Sequence, residues 1–227
     1  MMMKWSAYYL QDCMSFSGES LNNLMDWVTT MMISILIAVV WFYYSVKISK
    51  SICNYIIENQ SVEFLWTVFP LFILMFMASI SLKSLYTEEH YQNLPCMNLN
   101  VTGHQWYWEY YYPDFNLMFD SYLQEWESSL FRLSECDNRV VLPINAMVRV
   151  SVSSADVIHS WAIPSLGIKM DATPGRIIST MMVPLTPTLV YGLCAELCGA
   201  NHSFMPIVIE YTSVLLFKNW VNMMSKI

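Results

Sequence analysis

The sequence predicts a membrane protein: a two-helix transmembrane hairpin followed by an all-β Greek-key domain. Three observations lead there. Two uncharged apolar runs, Trp27 to Val46 and Phe64 to Leu82, occupy the N-terminal part of the 227 residues. After Leu99 the apolar pattern changes to a period of two, the spacing of a half-buried strand. From there on, short apolar segments alternate with Pro143, Pro164, Pro174, Pro184, Pro187 and Pro206, as turns between strands require.

Composition agrees. Hydrophobic residues make up 56% of the chain and charged residues 13%, too apolar and too weakly charged for an ordinary soluble domain. The formal net charge of −7 argues against nucleic-acid binding, which needs clustered Lys and Arg. It suits a basic protein partner instead. The acids concentrate late, with 13 Asp and Glu against 7 Lys and Arg after Lys83. The 18 methionines fit gap-filling in apolar segments. They also fit mitochondrial codes, which commonly reassign an isoleucine codon to Met. Met1 to Gly18 lacks the basic stretch and short apolar core of a signal peptide, so none is expected.

The first run, 27–46, has about the 20 residues needed to cross the hydrocarbon core. Trp27, Trp41, Tyr43 and Tyr44 lie toward its ends, where interfacial aromatics belong. The second, 64–82, contains Pro70, which a transmembrane helix tolerates better than a soluble one. The competing reading, two buried helices in a soluble core, fails because so short a chain cannot wrap them. Lys47 and Lys50 in the connecting loop 47–63 put that loop on the cytoplasmic or matrix side. The N-terminal segment 1–26 and everything from residue 83 onward then lie outside. That topology separates Cys53 from the other cysteines, whereas a Cys96–Cys136 disulfide is conceivable.

In the domain 83–227, Val101 to Tyr112 (VTGHQWYWEYYY) reads as one aromatic strand. Alternation puts His104, Trp106, Trp108 and Tyr110 on one face. Further strands are expected at 139–142, 147–153, 157–163, 177–183, 188–193 and 204–211, and a short helix at 217–226. Spacing of this kind indicates a Greek-key sandwich or barrel.

The chemistry concentrates in Tyr191 to Pro206, YGLCAELCGANHSFMP. Cys194, Cys198, His202 and Met205 supply thiolate, imidazole and thioether, a soft-to-borderline set suited to copper. A mononuclear blue-copper site needs one Cys and two His, so there is one Cys too many here. His159, in DVIHSW, is the best second imidazole. Two bridging thiolates would let two coppers take one His and one weak ligand each, the weak pair being Met205 and a backbone carbonyl. Three alternatives stand beside this: a helical stripe, a structural Cys2His2 zinc site, and a disulfide. Gly199 and Asn201 weaken the stripe, because both favour turns.

The segments CAELCGANHSFMP, DVIHSWAIPSLGIKMDATPGR, VTGHQWYWEY and VEFLWTVFP closely resemble the cytochrome c oxidase subunit II family, from about Asp26 to Trp220. The likeness is to mitochondrial members rather than to quinol oxidase relatives. It implies a cupredoxin-like barrel and an electron-relay subunit, with oxygen reduction and proton pumping in subunit I. Cys194 and Cys198 would bridge a binuclear copper (CuA) centre, and His159 and His202 would each bind one copper. Met205 and the Glu196 backbone carbonyl would be the weak ligands. The Glu196 carboxylate would bind magnesium shared with subunit I. Trp106 would be the entry point for electrons from cytochrome c, and Glu63 the mouth of a proton path. Each has a plain counterpart, a core aromatic and an interfacial acid.

Asp137 and Asp156 match acids facing cytochrome c, with Asp114 and Asp120 as further candidates. Pro113 and Asn116 thin the acidic run that follows GHQWYW in many members. Asp171 and Arg176 fall in a stretch at the subunit I interface. The implied setting is the mitochondrial inner membrane, with the copper domain in the intermembrane space. Rivals from other classes are a membrane-tethered copper chaperone and a structural zinc scaffold.

Overall fold

The computed structural model describes residues 10–50, 55, 58–90, 95–125 and 131–226. They form two compact units, 20–89 and a second unit that combines the N-terminal segment to residue 19 with residues 90–227. Cys53 lies outside the described residues.

The first unit is helical. Helix α1 runs Phe16–Ile48 and α2 runs Gln60–His90. Both overrun the apolar windows because flanking polar turns continue the helix. Ser20 and Ser84 hydroxyls meet at 2.8 Å, and Trp27 packs edge-on to Phe76. These contacts join the start of α1 to the end of α2, so the two helices run antiparallel. Their most apolar windows bury nothing within the protein. Helices apolar on every side and uncovered need lipid around them. Thr29, Thr30, Ser34 and Thr67 donate their hydroxyls to carbonyls one turn back, so few polar groups face outward unsatisfied.

The second unit is a sandwich of two five-stranded sheets closed by helix α3, Val214–Met224. The first sheet has the order β3-β2-β1-β5-β8, from Leu117–Ser121, Tyr107–Tyr112, Met97–His104, Val148–Ser154 and Ile178–Met182. The second has the order β4-β10-β9-β6-β7, from Val140–Pro143, Pro206–Thr212, Leu189–Cys194, His159–Ile163 and Ile168–Ala172. Pairing is antiparallel except β1 with β5 and β4 with β10. Leu99, Val101, Trp108, Tyr110, Val150, Trp161, Ile163 and Ile207 fill the space between the sheets.

Two strand expectations need correction. VTGHQWYWEYYY is a hairpin, not one strand: β1 ends at His104, β2 begins at Tyr107, and Gln105–Trp106 form the turn. Inward alternation therefore holds for Trp108, Tyr110 and Tyr112, while Trp106 stands at the tip. The segment lacks the Asn-Gly type of signal that marks a two-residue turn, and its unbroken aromatics imitate a single strand. Strands β3 and β7 were not anticipated, being short and mixed in polarity (LMFDS, IKMDA).

The N-terminal segment, which matches no motif, is bound to this unit. Met14 N–H donates to the Ser165 carbonyl at 2.9 Å, and Leu185 N–H to the Met14 carbonyl at 3.1 Å. Buried Ser15 donates its hydroxyl to the Leu166 carbonyl at 2.7 Å and accepts Gly18 N–H at 3.0 Å. Glu135, also buried, is held by Arg139 at 3.1 Å and by the Tyr191 hydroxyl at 3.0 Å. A buried carboxylate requires such partners. Cys96 and Cys136 are both free, so the conceivable disulfide between them is absent.

Candidate metal centre

Three chain segments converge at one end of the sandwich. β6 starts there with His159, and β9 ends there with Cys194, paired with Trp161 of β6. The β9–β10 connection supplies Cys198, then a single 3-10 turn, His202–Phe204, then Met205 before β10. Gly199 takes φ of +125° and the loop turns there, which removes the helical-stripe reading.

The donor atoms form an ordered chain. The Cys194 and Cys198 sulfurs are 3.9 Å apart, both thiols are free, and both are buried. Sulfurs bonded to each other would sit about 2.05 Å apart, so the disulfide reading falls. His159 Nδ1 lies 4.0 Å from Cys194 Sγ, and His202 Nδ1 lies 3.5 Å from Cys198 Sγ. The Glu196 carbonyl oxygen is 3.4 Å from Cys194 Sγ, and Met205 Sδ is 3.6 Å from Cys198 Sγ. Each sulfur thus has an imidazole and a weak donor beside it.

Donor atoms of His159, Cys194 and Cys198 all lie within 4.8 Å of one another, a spacing that a metal could span. Met205, a thioether, has no function at zinc and suits copper. The chemistry of the donor set therefore fits copper better than zinc.

Electrostatics favour a thiolate. Burial would push the Cys194 thiol up, but hydrogen bonds to His159, the backbone and His202 outweigh it and bring the group below the usual thiol range. Burial and the neighbouring Cys194 charge push Cys198 up. His159 is held above its ordinary value: burial opposes this, and Cys194 and Asp156 overcome it.

Asp156 is the residue whose position changes most in meaning. Its Oδ1 lies 2.8 Å from His159 Nε2, and its Oδ2 accepts Gln105 N–H at 2.7 Å. A carboxylate on the far nitrogen of a ligating His fixes the ring's tautomer and orientation. The family resemblance implies only a docking role for Asp156. The i, i+3 spacing to His159 was the available signal. Gly103 was missed as well: a β-carbon there would stand 2.9 Å from His159 Cδ2. Buried Trp108, not Trp106, packs edge-on to the His159 ring at 5.9 Å.

Trp106 stands partly exposed at the hairpin tip, beside the Cys198–Gly199 loop. The Glu196 side chain is exposed. Asp137 is exposed but accepts Tyr122 N–H at 2.8 Å and Asn138 N–H at 2.6 Å, so it also closes a turn. Asp114 accepts Asn98 N–H at 2.7 Å. Asp120 lies 3.4 Å from the Tyr122 hydroxyl. Asp171 and Arg176 are exposed. Glu63 belongs to the other unit, in the first turn of α2, where the helix N-terminus favours an acid.

Comparison with known proteins identifies the family. Residues 97–212 match the family model described as cytochrome c oxidase subunit II, periplasmic domain, and residues 3–84 match its transmembrane domain. The chain is 43% identical over 228 residues to cytochrome c oxidase subunit 2 of Simulium vittatum, covering 99% of each. It is 45% identical to that of Oncopeltus fasciatus, covering 97% of this chain and 98% of the relative. Among solved structures it resembles the periplasmic domain of cytochrome oxidase subunit II of Bradyrhizobium japonicum. There the TM-score is 0.57 at 41% identity, over 59% of this chain and 96% of that one. It also resembles a subunit II domain captured as a mixed disulfide with a thioredoxin-like protein, with TM-score 0.53 and 40% identity, over 59% of this chain and 93% of that one. With two apolar helices leading into a cupredoxin-like sandwich whose loops gather His159, Cys194 and Cys198, the chain belongs to the cytochrome c oxidase subunit II family.

Proposed function

We propose that this chain is the electron-relay subunit of cytochrome c oxidase, taking electrons from cytochrome c at a binuclear copper centre and delivering them to haem in subunit I. Oxygen reduction and proton pumping belong to subunit I. The observation that carries this reading is the donor cluster in which two free thiols 3.9 Å apart each lie beside an imidazole and a weak donor.

When bound, the copper pair supplies a reversible one-electron store. Cys194 and Cys198 would bridge it, His159 and His202 would each take one metal, and Met205 and the Glu196 carbonyl would be the weak ligands. Burial of both cysteines and of Met205 excludes water from the sulfur side. Asp156 and the tight packing around Gly103 hold His159 in one orientation. A rigid ligand frame keeps reorganisation small, which fast electron transfer needs. Trp106, at the exposed rim of the same loops, serves as the entry point. The exposed Glu196 carboxylate would hold magnesium together with subunit I. Glu63 would stand at the mouth of a proton path.

The remaining partners and setting follow the same reading. Helices 27–46 and 64–82 cross the mitochondrial inner membrane, with loop 47–63 on the matrix side. The copper domain, 83–227, faces the intermembrane space. The chaperone alternative expects one anchor helix and an α/β domain, against two helices and an all-β sandwich here.

Metal analysis of the oxidase and its Cys194→Ser variant tests the copper reading. Two coppers in this subunit with a delocalised mixed-valence spectrum are expected in the parent, and loss of that spectrum in the variant. Zinc in the parent, or an unaltered spectrum in Cys194→Ser, would refute it.

A further inference from the structure

We infer that Gln105 is a positioning residue for electron entry, pinning the Trp106 turn onto the copper loop. The inference rests on the reading of Trp106 as the entry point, and goes beyond it by naming what holds the indole there.

Gln105 bonds in two directions. Its backbone N–H donates to Asp156 Oδ2 at 2.7 Å, and the same carboxylate holds His159 Nε2 through Oδ1 at 2.8 Å. Its side-chain Nε2 donates to the Cys198 carbonyl at 2.7 Å. One residue thus links the hairpin tip to one imidazole and to one thiol-bearing residue of the centre. The neighbouring indole has no such tether of its own. Trp106 Nε1 is buried and has no hydrogen-bond partner among the described residues. What Trp106 does have is contact: a β-carbon on Gly199 would meet Trp106 Cζ2 at 3.0 Å and Gln105 Nε2 at 3.2 Å. The ring and the carboxamide therefore lie together against the backbone that follows Cys198. The carboxamide supplies the directional bond that the ring lacks.

The physical consequence concerns coupling. Electron transfer between an aromatic ring and a metal centre weakens steeply as the gap widens. The indole's distance from the loop depends on the turn that carries it. Gln105 is itself exposed, so replacing its side chain removes the bond to the Cys198 carbonyl without opening the core. Its backbone bond to Asp156 survives substitution, which confines the test to the carboxamide.

The experiment uses the assembled oxidase carrying Gln105→Leu, Trp106→Phe, or both, with Gln105→Glu as a second variant of equal length that cannot donate. Four quantities are read: copper content, the visible and EPR spectra of the copper centre, cytochrome c affinity, and the entry rate at saturating reduced cytochrome c. Gln105→Leu is expected to keep copper, spectra and affinity, and to lower the saturating entry rate toward that of Trp106→Phe. In the Trp106→Phe background the same change should add nothing, because a residue acting through another shows full coupling in a double-mutant cycle. If Trp106→Phe is slow but Gln105→Leu enters at the parental rate, the positioning inference is overturned and the entry reading stands. A loss confined to affinity, or an effect that adds fully to Trp106→Phe, overturns it too, since that would make Gln105 a docking contact. A Trp106→Phe enzyme that is not slowed overturns the entry reading itself, and the inference with it.

Discussion

A β-carbon at Gly103 would stand 2.9 Å from His159 Cδ2 and 3.1 Å from Trp108 Cζ3, so the GHQWYW glycine makes room for a proposed ligand. Gly103→Ala should displace the His159 ring, cost about 1–3 kcal/mol as overpacking does, and shift the copper spectrum. An unchanged spectrum with unchanged Tm would mean the ring yields freely. Asp156 acts on the same imidazole from its other side. Asp156→Asn keeps the shape but removes the carboxylate's charge, and loss of such a partner typically weakens metal affinity about 10–100-fold. Chelator titration of the oxidase measures this directly, and an unmoved midpoint would leave Asp156 with a docking role alone. At this scale the sequence was legible where residue type carries the chemistry. Cys194, Cys198, His202 and Met205 could be read together because they lie within one segment. His159, 35 residues before Cys194, was paired with them through its motif. The parts played by Gly103, Gln105 and Asp156 were not legible. Each depends on a contact between segments that only the folded backbone brings together.

At the scale of elements, β6 and β9 approach so closely that Gly192 is obligatory. Its β-carbon would fall 2.1 Å from the Ala162 carbonyl oxygen, a backbone atom that cannot swing aside. Gly192→Ala should therefore separate the two strands that deliver His159 and Cys194, lower Tm, and reduce copper retention. A variant with parental Tm and copper content would show that the sheet relaxes at no cost. Strand pattern was readable where alternation was strong, as in β5 (Val148, Val150 and Val152 inward). It failed at the β1–β2 hairpin, because the side-chain period of two runs through Gln105–Trp106 without a turn residue to interrupt it. It also missed β3 and β7, where short segments carry too few apolar positions for a period to emerge. Pairing of β1 with β5 and of β4 with β10 in parallel is a long-range choice that local pattern does not encode.

For the whole molecule, a net charge of −7 with 13 acids against 7 basic residues after Lys83 predicts electrostatic steering of a basic partner. Raising ionic strength from about 0.01 M to 0.15 M shortens the Debye length from about 30 Å to 8 Å, so cytochrome c association with the oxidase should slow markedly. Salt-independent association would show that these acids do not steer the partner. Asp137 and Asp114 also bond backbone N–H groups, so these acids serve the fold as well as any partner. The sequence by itself determined the membrane hairpin, since two uncharged runs of about 20 residues have few other stable environments. It also determined the all-β class and the soft donor set, because period and ligand chemistry are local properties of the chain. Only the tertiary structure decided how the donors are ordered, that Asp156 lies against His159 and Gln105 against the Cys198 carbonyl, and that the N-terminal segment is fastened at Met14 and Ser15 to loops near residues 165 and 185. Those are distances between remote residues. They are set by sheet register and close packing across the core, which no window along the chain contains.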